Sequence, residues 1–208
     1  MSLVIVGSVA YDSIQTPLGG RDDMLGGSGT FFSIAASAFT KTSLVAVVGE
    51  DFKADDLALL ESHQVDLSGL VRAPGRTFRW GGKYHDDMNG RDTLFTELNV
   101  FEAFQPVLSP TQRDAGFVFL GNIQPKLQDH VLEQVRSPRF VAADTMNLWI
   151  NVARAELCEV LRRVDALFVN DEEARMLTGK RSMVLAAKEI QAMGPNLIII
   201  KRGEHGAM

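Results

Sequence analysis

Leu25-Gly26-Gly27-Ser28-Gly29-Thr30-Phe31-Phe32-Ser33-Ile34-Ala35-Ala36 is a glycine-rich turn that runs straight into an apolar helical pattern. Glycines let backbone N–H groups approach a ligand closely and take conformations that a Cβ forbids, and a helix start leaves several N–H donors unpaired. Two readings of these residues stand open: a binding cradle made by Gly26, Gly27 and Ser28, or the end of a loop with Ser28 capping the helix. Beyond the turn, Phe31, Ala35 and Ala38, and beside them Phe32, Ala36 and Phe39, form apolar stripes. That pattern predicts a helix covered on most sides and set inside the fold.

On the N-terminal side of the turn, Leu3-Val4-Ile5-Val6 is a continuous apolar run closed by Gly7, which predicts a strand buried on both faces. Asp12 follows just past it. An acidic residue there lies where open α/β sheets place ligands and can accept hydrogen bonds from substrate hydroxyls; its other reading is a turn-stabilising residue in Tyr11-Asp12-Ser13. On the C-terminal side, Leu44-Val45-Ala46-Val47-Val48 predicts a second buried strand ended by Gly49. Residues 52–63 then read as an amphipathic helix with Leu57 and Leu60 on the core side. Strand, helix, strand, helix is the α/β signature.

From Arg72 the pattern changes. Thr77-Phe78-Arg79-Trp80-Gly81-Gly82-Lys83-Tyr84 and Thr93-Leu94-Phe95-Thr96-Glu97-Leu98 alternate around Met88-Asn89-Gly90, which predicts an antiparallel hairpin inserted at about 72–100. A hairpin of this kind serves as a lid that excludes water from a ligand, as an oligomer edge, or as both. Its Phe78, Trp80, Tyr84 and Phe95 make it a candidate homodimer surface. His85, Asp86 and Asp87 are consecutive and cannot all face one ion, so they read as a solvated turn.

After the hairpin the alternation resumes, with strands predicted at 117–120, 140–143, 167–169 and 197–200 and helices at 125–135 and 152–164. Parallel strands share one C-terminal edge, so Asp12, Gly121-Asn122, Asp144, Asn170 and Lys201-Arg202-Gly203 are expected along a single rim, where doubly wound sheets bind ligands.

Composition narrows the partners. The chain has 208 residues, 46% hydrophobic and 23% charged, enough to bury a sizeable core. A net charge of -5 argues against nucleic acid and anionic membranes. No apolar run is long enough to span a bilayer and no signal-peptide pattern opens the chain, so the cytoplasm is the expected compartment. The single cysteine, Cys158, excludes an internal disulfide framework and a Cys-rich zinc site, and its place in the 152–164 pattern predicts a buried thiol.

The succession of Val6-Gly7-Ser8 with Asp12, Leu25-Gly26-Gly27-Ser28, Val47-Val48-Gly49-Glu50-Asp51, Phe168-Val169-Asn170-Asp171-Glu172-Glu173-Ala174 and Ile200-Lys201-Arg202-Gly203-Glu204-His205-Gly206 resembles the PfkB or ribokinase-like family of carbohydrate and nucleoside kinases. The motifs stand in the family's order and span essentially the whole chain. The resemblance implies one domain over 1–208, of the α/β class, with a doubly wound, mainly parallel central sheet, helices on both faces and a small antiparallel β lid. It implies transfer of the ATP γ-phosphoryl group, with Mg2+, to a hydroxymethyl group of a small sugar or nucleoside. Asp12 and the Gly26-Gly27-Ser28 turn match positions that hold the acceptor's hydroxyls. Asn170 and Glu173 match the Asn-x-x-Glu motif at the phosphate side, with Glu173 holding magnesium through water, and Lys201 and Gly203 line the nucleotide side. Two of these segments carry a second reading. Asn170 and Glu173 have the spacing of a helix cap, and the Lys201–Gly206 segment that of a hairpin turn.

Two departures follow. The family commonly has an asparagine where Phe31 stands, and an apolar residue there suits a nucleoside acceptor, whose base offers a face to stack on. The family's glycine-rich anion hole and catalytic aspartate are expected beyond Met208; Asp144-Thr145 is followed by Met146-Asn147 and not by glycines. The expectation is that the C-terminal part is missing and that the 208 residues alone are inactive. The alternative is a non-catalytic carbohydrate- or nucleoside-binding protein of kinase-like fold. A Rossmann dehydrogenase is disfavoured because Gly7-Ser8-Val9-Ala10 replaces a Gly-x-Gly-x-x-Gly turn.

Overall fold

The unbroken apolar run behind Gly7 forms the strand its composition predicts: β1 (Ser2–Val6) has Val4, Ile5 and Val6 fully buried. In this computed structural model, which describes residues 2–86, 88 and 90–208, the chain divides into two compact units, residues 4–107 and 108–208. Each is described by itself. Seven strands make a central sheet whose described ladders are parallel, and four make a second, smaller sheet.

In the first unit β1 leads into β2 (Ala10–Thr16) and β3 (Gly19–Gly26), then α1 (Ser28–Ser37) and β4 (Lys41–Val48). There follow α2 (Ala54–Ser62), β5 (Asp66–Arg72), β6 (Phe78–Tyr84) and β7 (Arg91–Glu97). β4 is buried from Leu44 to Val48, and β5 runs parallel to it. Along α2, Leu60 is buried and Leu57 half-buried, as the spacing predicts.

The hairpin β6–β7 is present and antiparallel, but it is half of a mixed sheet in the order β3-β2-β6-β7, with β2 parallel to β6 and antiparallel to β3. The expected lid at 72–100 therefore understates the small sheet, because β2 and β3 belong to it. These strands are hidden in the sequence by a register shift between Asp12 and Ile14 and by the polar, glycine-rich composition of β3. The turn expected at Met88-Asn89-Gly90 and the His85-Asp86-Asp87 run lie partly outside the described residues, at Asn89 and Asp87.

The apolar stripes expected to bury α1 do not do so. Phe31 is 63% exposed, Phe39, beyond the helix end, is 90% exposed, and the buried positions are Gly29, Thr30 and Ser33. The helix approaches the turn after β1 and strand β4 so closely that a Cβ on Gly29 would lie 3.0 Å from the Ser8 carbonyl and 3.1 Å from Leu44 Cδ1. Only small residues fit that seam, so the large apolar ones turn outward.

The second unit comprises α3 (Pro110–Arg113), β8 (Phe117–Leu120), α4 (Pro125–Gln134), β9 (Phe140–Asp144), α5 (Asn147–Val152) and α6 (Arg154–Leu161). It closes with β10 (Ala166–Asn170), α7 (Asp171–Thr178), α8 (Met183–Ala192) and β11 (Leu197–Lys201). The strands run parallel in the order β11-β10-β9-β8. The helix predicted over 152–164 is split at Ala153, whose φ of -138° ends α5 and starts α6. Cys158 on α6 is half-buried, not buried as expected, since Leu157, Val160 and Leu161 take the core face.

Candidate functional site

In the first unit the glycine turn is a packing device before it is anything else. Gly27 is the N-cap of α1 with φ 95°, and a Cβ there would stand 2.4 Å from the Ser8 carbonyl oxygen. Ser28 is the first helical residue and not the cap. Its N–H donates to Ser8 Oγ at 3.1 Å, the two hydroxyls stand 3.2 Å apart, and the Gly29 N–H donates to the Ser8 carbonyl at 2.8 Å. The N–H groups of Ser28 and Gly29 are thus satisfied by Ser8. They do not form an open anion cradle.

What the turn does present is a carboxylate. Asp12 lies on β2 across from Met24 of β3 and Trp80 of β6, and its side chain occupies the space above Gly26, where a Cβ would fall 2.1 Å from Oδ2. Among the described residues its carboxylate has no hydrogen-bond or ion-pair partner. Burial alone pushes its pKa up to about 6. A half-buried carboxylate with no donor from the protein is able to accept hydrogen bonds from a hydroxyl group.

The opposite face of the same strands explains why Asp12 is held there. Tyr11 is fully buried, donates its hydroxyl proton to Asp56 at 2.7 Å and accepts from the Lys53 N–H at 2.9 Å. Arg79, across from Tyr11 in register, lays its guanidinium 5.3 Å from the Tyr11 ring centroid and pairs with Asp23 and, at 2.9 Å, with Asp51. Asp51 also accepts from both the N–H and the hydroxyl of Thr77, each at 2.7 Å. This network fastens β2 and β6 to the loop after β4. Strand alternation then sends Asp12 and Trp80 out of the other face.

In the second unit the ends of β9, β10 and β11 stand side by side, whereas Asp12, expected on the same rim, lies within β2 of the small sheet. Asn170, at the end of β10, is in register with Lys201 at the end of β11, and Phe168 is in register with Asp144 at the end of β9. Lys201 Nζ stands 3.5 Å from Asp144 Oδ1, with the Asp144 side chain 16% and the Lys201 side chain 50% exposed. Burial raises the Asp144 pKa and the Lys201 ammonium opposes that rise. Asn122, also expected on the rim, accepts from the Trp149 indole at 2.9 Å and donates to Met146 Sδ at 3.1 Å.

Asn170 and Glu173 form a full capping box at the start of α7. The Asn170 side chain accepts from the Glu173 N–H and the Glu173 carboxylate accepts from the Asn170 N–H, both at 2.7 Å. The cap reading is therefore present in the structure, and Glu173 is buried. The Lys201–Gly206 segment is a hairpin turn. It contains a short 3-10 turn at Gly203–His205, with φ 55° at Gly203, and the chain returns so that Ile200 and Met208 exchange backbone hydrogen bonds. Among the described residues no group of three or more His, Cys, Asp or Glu side chains is arranged to hold a metal. The cap fixes Glu173 Oε2 against the Asn170 N–H. Among the described residues no helix is long and apolar enough to cross a membrane.

Comparison with known proteins places this geometry among relatives. The profile of pfkB family carbohydrate kinases matches residues 3–208. A cytidine kinase of Thermococcus kodakarensis is 30% identical over 213 residues, an alignment covering all of this chain and 75% of the relative. The fold is shared by the nucleoside kinase of Burkholderia thailandensis, solved in complex with inosine, at TM-score 0.76, 18% identity and coverage of 99% of this chain and 71% of that one. Ribokinase of Cryptococcus neoformans, solved with ADP, matches at TM-score 0.77 and 18% identity over 99% of this chain and 74% of its own.

Proposed function

Given that the chain belongs to the pfkB family of carbohydrate kinases, we propose that it binds the acceptor of a nucleoside kinase, whose primary hydroxyl takes the γ-phosphoryl group of ATP. The observation that carries the reading is the Asp12 carboxylate, desolvated, without a partner and set over Gly26. In this role Asp12 accepts hydrogen bonds from the sugar hydroxyls. Gly26 leaves its carboxylate room, while Gly27 and Ser28 lock the start of α1 against Ser8. The exposed Phe31 supports a nucleoside over a free sugar, because an aromatic ring offers a base contact where an amide would favour hydroxyls. The cytidine kinase relative points the same way.

On the phosphate side, Lys201 offers its ammonium to the nucleotide's phosphates, and Gly203 keeps the turn after β11 free of a side chain. Asn170 and Glu173 fix the start of α7, and Glu173 holds magnesium through water. That ion supplies charge neutralisation for the phosphate oxygens in a reaction governed by positioning and electrostatics.

The test is equilibrium binding and ATP-dependent phosphorylation of cytidine, inosine, ribose and fructose by the intact protein. Nucleosides are expected to bind tighter and to be phosphorylated with the higher kcat/KM. Preference for free ribose or fructose overturns the nucleoside reading, and binding without ATP turnover favours a non-catalytic binding protein.

The small sheet also supports a homodimer. Every residue of β7 is exposed, and Leu94 and Phe95 are 49% and 38% exposed on it. An exposed edge strand that carries Leu94 and Phe95 offers its unpaired backbone groups and two apolar side chains to a second copy. Sedimentation is expected to show a dimer, and a strict monomer at high concentration overturns this assignment.

A further inference from the structure

The geometry points to Trp80 as the platform on which the base of a nucleoside acceptor stacks, which makes it a specificity residue for nucleosides over free sugars; this inference rests on the nucleoside reading above.

Three observations carry it. Trp80 is the in-register partner of Asp12 across the parallel β2–β6 ladder, so both side chains leave the same face of the small sheet, one strand spacing of about 4.8 Å apart. Two residues along the same strand and on the same face stands Gly82, and a Cβ there would lie 2.1, 2.7 and 2.8 Å from Cη2, Cζ2 and Cζ3 of the indole. The absent side chain is what lets the six-membered ring settle over the strand. Trp80 is, finally, only half-buried, so part of its ring is left for a ligand. Phe78, on the same face, is stacked on Phe101 at 5.2 Å and has its aromatic partner within the fold.

The base of a nucleoside is bonded directly to its sugar ring. The Asp12 carboxylate lies over Gly26 of β3, so a ribose whose hydroxyls donate to it and whose base points across β2 has that base within reach of the indole on β6. Every base has a π-face, so stacking on Trp80 rewards a nucleobase and gives nothing to ribose or fructose. The exposed guanidinium of Arg91 is 5.7 Å from the Trp80 ring centroid. A cation–π contact of that kind at an exposed site is weaker than stacking of a heteroaromatic ring, and Arg91 shifts aside or covers the base from outside.

The chain has two tryptophans, Trp80 and Trp149, so Trp149→Phe leaves Trp80 as the sole indole reporter. In the intact protein carrying that substitution, inosine and cytidine are expected to quench the emission saturably and ribose to leave it unchanged. In the parent protein, measured by calorimetry, Trp80→Ala is expected to raise the Kd for inosine and cytidine about 10- to 100-fold and leave that for ribose unchanged. Trp80→Phe, which keeps a ring, is expected to restore most of the affinity. Gly82→Ala is expected to act like Trp80→Ala by lifting the indole off the strand. If Trp80→Ala leaves nucleoside affinity intact, or weakens nucleosides and ribose alike, while Asp12→Asn still weakens both, the stacking role is overturned and the acceptor site stands. If Asp12→Asn weakens neither, the acceptor reading is overturned and Trp80 falls with it.

Discussion

The carboxylate of Asp12 stands where a side chain on Gly26 would be: a Cβ on Gly26 would lie 2.1 Å from Oδ2 and 2.5 Å from Cγ. The two residues come from adjacent strands of the small sheet, and neither conformation is strained in φ. Gly26 is thus required by its neighbour's functional group and not by its own backbone. Gly26→Ala is expected to fold, with a loss of about 1 kcal/mol, because a short side chain can be pushed aside. Acceptor affinity is expected to fall roughly 100-fold, because a displacement of about 1 Å at a positioned group costs that much. Calorimetric titration with cytidine beside a thermal melt separates the two effects.

In its proposed role, Asp12 trades stability for binding. Its carboxyl titrates near pH 6 in the folded chain against an ordinary value of 3.8, so the folded state holds the proton more tightly than the unfolded one. Its contribution is fully present below the lower value and is lost as pH rises through the higher one. Asp12→Asn is therefore expected to raise Tm by about 2–4 °C at pH 8, the equivalent of about 1 kcal/mol for a chain of this size, and to change it little at pH 4. Partial exposure keeps the gain below what the full shift implies. Acceptor affinity is expected to fall about 10- to 100-fold, since a hydrogen bond to a charged group is lost. A Tm that drops at pH 8 contradicts this account.

The parallel strands were legible because they are largely buried: Val4 to Val6, Leu44 to Val48, Phe117 to Leu120, Phe140 to Ala143, Leu167 to Val169 and Leu197 to Ile200 are unbroken apolar runs. The ends of β9, β10 and β11 followed from topology, which gathers Asp144, Asn170 and Lys201 without any local signal. β2 and β3 were not legible. One is interrupted by a register shift, the other is almost wholly polar or glycine, and their pairing with β6 is a long-range event that no local period records. For the same reason Asp12 was visible as a candidate but its partner Trp80 was not. The alternation of β6 groups Phe78, Trp80 and Gly82 on one face, and only the β2–β6 ladder tells which face that is. On α1 the helical period was correct and the buried side was not. Close approach to Ser8 and Leu44 rewards smallness over hydrophobicity, and Phe31 is turned to solvent.

The capping box allows the structural role of Glu173 to be told apart from the proposed ionic one. Glu173→Ala removes the acceptor of the Asn170 N–H, and a lost cap costs about 0.5–2 kcal/mol. Glu173→Gln keeps an oxygen in that place and is expected to recover most of the stability. It does not recover the charge, so its nucleotide affinity in the presence of magnesium is expected to stay reduced. Equal recovery of stability and nucleotide affinity in Glu173→Gln would leave only the cap.

Lys201 and Asp144 give the last test, because the cation is half-exposed and the anion is not. Asp144 has its pKa raised by burial, and Lys201 is the charge that holds the rise back. Removing Lys201 leaves a buried carboxylate uncompensated, so the folded-state pKa climbs further and stability is lost as pH rises through it. Lys201→Met is accordingly expected to lower stability more at pH 8 than at pH 5, by about 1–2 kcal/mol at the higher pH, given how much of the lysine is in water. Adding Asp144→Asn takes away the orphaned charge, and the double variant is expected to regain most of the loss at pH 8 and to lose its pH dependence. Nucleotide binding behaves differently. If the Lys201 ammonium meets phosphate, ATP affinity falls in the single and the double variant alike, because Asp144→Asn restores the fold and not the cation. A double variant that recovers both stability and ATP affinity confines Lys201 to balancing Asp144 and removes it from the phosphate side.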